Sequence, residues 1–115
     1  MDESALDREF LTELLDGDKE FAEELFEVYI ESSSQCLDDI LSSFKTSQRE
    51  KSIRSFHTLK GASGSVGLVK VQSFASELEA LAKSGELEVC EARLPELKEL
   101  VGQTKSILNA YLEEL

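Results

Sequence analysis

Apolar residues in the stretch 19–45 return at helical intervals: Phe21, Leu25, Val28, Tyr29, Cys36, Leu37, Ile40, Leu41 and Phe44. No other feature constrains the fold as strongly, because side chains three and four apart share one face of an α-helix. A long amphipathic helix has to bury that stripe against partners of its own kind. Glu20, Glu23, Glu24, Glu27 and Glu31 read as its solvated face. Ser32, Ser33 and Ser34 lower helix propensity mid-way and are small enough to admit a close neighbour.

The repeat recurs on both sides. Residues 1–15 open on a capping-box-like Ser4-Ala5-Leu6-Asp7 and carry Phe10, Leu11, Leu14 and Leu15, a short helix lying on the main body. Asp16-Gly17-Asp18 breaks it, with Asp18 placed to cap the long helix. Ser47 with Glu50 reads as a capping box that starts the next helix near Gln48, and Gly67 is suited to a left-handed end. Residues 69–84 place Val71, Phe74, Ala75, Leu78, Leu81 and Ala82 on one face and end at Gly85. Residues 87–114 follow, through Val89, Ala92, Leu94, Leu97, Leu100, Val101, Leu108, Tyr111 and Leu112. Pro95 cannot donate to a helix ladder, so a kink or a fresh start is expected there, with the proline in a first turn. The pattern predicts an all-α fold: an antiparallel four-helix bundle with a short additional N-terminal helix, in one domain over residues 1–115.

Composition narrows the function classes. A formal charge of −12 argues against nucleic acid as the main partner. No apolar run reaches the length of a membrane span, and no basic-then-apolar leader opens the chain, so a cytoplasmic protein is expected. Cys36 and Cys90 are too few for a disulfide framework or a zinc site, and read as small buried apolar residues in a reducing compartment.

The chemistry-bearing segment is Ser55-Phe56-His57-Thr58-Leu59-Lys60-Gly61-Ala62-Ser63-Gly64-Ser65-Val66-Gly67, which holds the single histidine of the chain. On a helical wheel Ile53, Arg54, Lys60, Gly61 and Gly64 share the face of His57. Ser52, Phe56, Leu59, Ser63 and Val66 fall opposite, towards the core, and Ser63 is expected between helices. Each glycine inside a helix costs about 1 kcal/mol relative to alanine. Clearing the approach to His57 for another macromolecule is one reason to carry that cost; close helix packing is the other. Residues 45–70 are formally +5 inside this acidic chain, through Lys45, Arg49, Lys51, Arg54, Lys60 and Lys70 against Glu50 alone. A basic island around one histidine suggests an anionic target.

His57-Thr58-Leu59-Lys60-Gly61-Ala62-Ser63-Gly64-Ser65-Val66-Gly67-Leu68 resembles the HxLKG(S/A)SxxxG(A/L) signature of histidine-containing phosphotransfer domains, with Ala62 where many members have serine. The resemblance implies a phosphorelay intermediate without turnover of its own. His57 would accept a phosphoryl group from a receiver-domain aspartate and pass it to another receiver. Lys60 would pair with that group, and Glu79 would hold the inner imidazole nitrogen. Ile53, Arg54, Gly61 and Gly64 would meet the partner. Response-regulator receiver domains and a hybrid histidine kinase are the implied partners, and Mg²⁺ is expected in the receiver. The chain itself is expected to carry no cofactor or metal and to be a monomer.

Other readings stay open at this point. A hydrolase using His57 as general base lacks an aligned nucleophile, and one histidine cannot build a His-rich metal site. A helical adaptor without chemistry accounts for the stripes but not for the glycines or the basic island. A phosphoacceptor module of a hybrid or chemotaxis-type kinase would carry the same signature. A compact chain opening on Met1 fits a free-standing shuttle.

Overall fold

The computed structural model describes residues 5–115. All regular structure among them is helical: α1 (Arg8–Leu15), α2 (Lys19–Lys45), α3 (Arg49–Ser65), α4 (Val69–Lys83), α5 (Leu87–Ala92) and α6 (Leu94–Glu113). At 1.5 Å per residue α2 is about 40 Å long, close to the 43 Å long axis of the molecule. α3 packs on α2 and α4, and α6 closes the ring against the same two helices. The expected bundle of four long helices is therefore α2, α3, α4 and α6, with α1 laid against α2.

The stripe of α2 is mostly the expected one, with Tyr29, Cys36 and Ile40 buried and Leu25, Leu37, Leu41 and Phe44 packed partly buried against the core, but its seam also takes in residues outside the expected list. Ala22, Phe26, Tyr29, Ser33, Cys36, Ile40 and Ser43 are buried, at alternating steps of four and three. Phe21 and Val28 face solvent instead, Val28 at 64% exposure. Small and polar residues occupy the seam because the helices come close there. Tyr29 Oη and Ser63 Oγ are hydrogen-bonded at 3.0 Å between α2 and α3, and Ser43 Oγ and Ser52 Oγ at 2.7 Å. Of the serine run, Ser33 alone is buried, its hydroxyl donating to the Ile30 carbonyl.

Two expected helix starts differ. The cap of α1 is Asp7, whose carboxylate accepts from the Phe10 N–H at 3.0 Å; Ser4 lies outside the described residues. Ser47 and Glu50 do not form a capping box, since Gln48 is the N-cap of α3 and no side chain bonds there. Ser47 belongs to the end of α2: it takes a left-handed φ of 56°, and the Gln48 N–H turns back to the Ser43 carbonyl at 2.8 Å. A residue closing one helix in that conformation cannot also cap the next.

The remaining boundaries follow the sequence. Asp18 caps α2 by accepting from the Phe21 N–H. Gly67 sits at φ 73°, and the N–H groups of Gly67 and Leu68 bond back to Gly64 and Ser63, closing α3 in a Schellman turn. At the proline the chain starts afresh: α5 ends at Ala92, and α6 begins with Pro95 in its first turn. Both cysteines are buried and unbonded to each other, and burial pushes the Cys90 thiol up to about 11.

Candidate functional site

His57 lies at mid-length of α3, on the side away from the core. Phe56 and Leu59, on either side of it, are fully buried and fix the rotation of the helix. The ring therefore projects outward, its side chain 68% exposed. A reacting atom on a packed helix is held more exactly than one on a loop.

Three groups meet on Glu79 of α4. His57 Nδ1 lies 3.1 Å from Glu79 Oε2. Lys60 Nζ donates to Glu79 Oε1 at 2.7 Å, and Lys83 Nζ is 3.2 Å from Oε2. Glu79 has only 5% of its side chain exposed. Burial pushes its carboxyl upward, but the hydrogen bonds from Lys60, Lys83 and His57 more than offset this and hold it below the ordinary carboxylate value. It is thus ionised at neutral pH. An ionised carboxylate only accepts, so the proton of this contact sits on Nδ1 and the neutral ring keeps its lone pair on Nε2.

The other expected residues line the same face of α3. Gly61 is exposed, and nothing lies within 4 Å of where a Cβ would stand. Gly64 is half-buried rather than open: a Cβ there would come within 2.6 Å of the Gln72 amide nitrogen. One turn before His57, Ile53 is half-buried at the edge of the core and Arg54 is exposed. Among the described residues no group of His, Cys, Asp and Glu is arranged to hold a metal ion, and no helix is long and apolar enough to cross a membrane.

Comparison with known proteins bears on this arrangement. A family model described as Hpt domain matches residues 24–107. The chain belongs to the Hpt domain family. It is also similar to the phosphorelay intermediate protein rdeA of Dictyostelium discoideum, with 33% identity over 105 residues. That match takes in 91% of this chain but 41% of the length of rdeA. Histidine-containing phosphotransfer protein B (HptB) from Pseudomonas aeruginosa PAO1 has the same fold, with a TM-score of 0.89, 18% identity and 99% of each chain covered.

Two side chains of this Hpt domain's site were missed from the sequence. Lys83 was detectable in principle, since it stands four residues after Glu79, a spacing that pairs Glu with Lys on a helix. Gln72 had no such signal. Its position over Gly64 depends on how α4 packs against α3, which no periodicity encodes.

Proposed function

We propose that this Hpt domain carries the phosphoryl group on His57 Nε2, between the aspartates of receiver domains. The observation that supports it most is the exposed ring whose inner nitrogen is committed to Glu79. In the uptake step the Nε2 lone pair attacks phosphorus in line with the receiver's aspartyl oxygen. An N–P bond forms, the O–P bond breaks, and the aspartate leaves as a carboxylate. No proton has to depart, because Nε2 carries none. The ring becomes positive and keeps its Nδ1–H on the Glu79 carboxylate, which offsets the new charge. Lys60 has three donors, so it can keep Glu79 and still offer an N–H to the phosphoryl oxygens. Reversal of the same step hands the group to a second receiver.

On this reading the domain turns over nothing by itself. Positioning and charge compensation come from His57, Lys60 and Glu79; the receiver supplies the aspartate and a bound Mg²⁺. Receivers and a hybrid histidine kinase are the partners, with Ile53, Arg54 and Gly61 on the docking face and the cytoplasm as the compartment. Cys36 and Cys90, both free thiols, fit a reducing compartment.

The test is incubation with a phosphorylated receiver, followed by assay for acid-labile, alkali-stable phosphate on the chain. His57→Gln should abolish labelling while leaving the helical circular dichroism unchanged. Labelling that persists in His57→Gln places the acceptor elsewhere.

A further inference from the structure

Gly64 is a glycine on the docking face, yet the space beside it is already filled. The carboxamide of Gln72, from the first turn of α4, lies where a Cβ would be, with its nitrogen 2.6 Å and its carbon 3.1 Å from that point. Gly61, one turn nearer His57, has no such neighbour. The two glycines therefore do different things: one leaves open surface and the other forms a seat for a side chain.

The seated carboxamide has no hydrogen-bond partner among the described residues. Its polar atoms are not sealed from water, since no buried side-chain nitrogen or oxygen lacks a partner. It thus presents two donors and an acceptor outward from a half-buried position. Contact with the backbone at Gly64 restricts its rotamers before any partner arrives, so less side-chain entropy is lost on docking. Seven residues along α3 separate Gly64 from His57, about 10 Å. A partner patch of about 800 Å² centred on His57 reaches that far.

We infer that Gln72 is a hydrogen-bonding contact for the docked receiver, and that Gly64 serves to seat it rather than to admit the receiver itself. This rests on the phosphocarrier reading above. An alanine at position 64 displaces only the far end of a flexible side chain, so the fold survives while the carboxamide swings away.

A double-mutant cycle on the full chain tests the inference, with Gln72→Ala, Gly64→Ala and the pair, each offered a receiver domain phosphorylated on its aspartate. Losing one docking hydrogen bond should slow uptake at limiting concentration about fivefold in Gln72→Ala. Gly64→Ala should slow it comparably, and the pair no more than either alone. Thermal melts should show Gly64→Ala at least as stable as the parent, and the Gln72 side-chain amide signals in a ¹⁵N spectrum should move in Gly64→Ala and on adding receiver. Full-speed uptake by Gln72→Ala, or losses that multiply in the pair, overturns the inference while leaving the phosphocarrier reading in place. No uptake by the unsubstituted chain overturns that reading, and the inference with it; the Gln72 amide signals in Gly64→Ala still report on the seat.

Discussion

Glu79 keeps its charge in a nearly dry position because three donors converge on two oxygens. That makes it the residue through which acid acts on the site. Its pKa in the folded chain lies below the ordinary 4.5, so the unfolded chain binds its proton first as pH falls. The stability it contributes is complete above the ordinary value and is lost as pH drops through the folded value. Melting temperatures followed from neutral pH down to about pH 3 should therefore fall less steeply in Glu79→Gln than in the parent. An equal slope in both would show that the ion pairs do not hold the carboxylate down. Gly61 offers a second test at this scale. Gly61→Gln should raise stability by up to about 1 kcal/mol through helix propensity, because open space receives the side chain. The same side chain, one turn from His57, should slow phosphoryl uptake from a receiver. A variant both more stable and equally fast would leave Gly61 without a docking role.

At the scale of elements, the turn between α3 and α4 holds more together than its sequence suggests. Gly67 was expected to end a helix. It also accepts, through its carbonyl, the Asp7 N–H at 2.7 Å, and a Cβ there would meet the Asp7 carbonyl at 3.2 Å and Phe10 at 3.3 Å. The start of α1 is thus pinned on the turn that separates the histidine helix from the Glu79 helix. Gly67→Ala combines a left-handed backbone with that close approach and should cost about 1–3 kcal/mol, read as a lowered midpoint in urea unfolding. At the opposite end of the same pair, Arg49 from the start of α3 donates Nε–H to the Ala82 carbonyl at 2.8 Å and bonds the Lys83 carbonyl. A cation at the C-terminus of α4 satisfies orphan carbonyls and suits the helix dipole. It also fixes the end of α4 from which Lys83 reaches Glu79. α3 and α4 are therefore tied at both ends, and the His57–Glu79 contact lies between the ties.

Across the whole molecule, charge is unevenly placed. The segment 45–70 is formally +5 in a chain of −12, and most of it is α3. A field of that shape speeds the approach of an acidic partner to one side of the bundle and repels it from the others. Added salt should slow phosphoryl uptake from a receiver by screening this attraction. The slowing should shrink in Arg54→Ala, which removes an exposed cation one turn from His57. Stopped-flow rates at graded salt check this; a salt dependence unchanged in Arg54→Ala would remove that residue from the docking surface.

The residues alone determined the helical class, the outward direction of His57 and the ends at Asp18, Gly67 and Pro95. Each of these follows from short-range rules: the 3.6-residue repeat, one capping carboxylate, one left-handed glycine, one missing N–H. Where two local rules competed, the sequence left the choice open, as at Ser47, which suited the start of α3 and instead closes α2. The exposure of Phe21 and Val28 on α2, the burial of Glu79 and the seating of Gln72 on Gly64 were decided by tertiary structure. These depend on the rotation and spacing of neighbouring helices, and packing sets both by contacts between residues far apart in the chain.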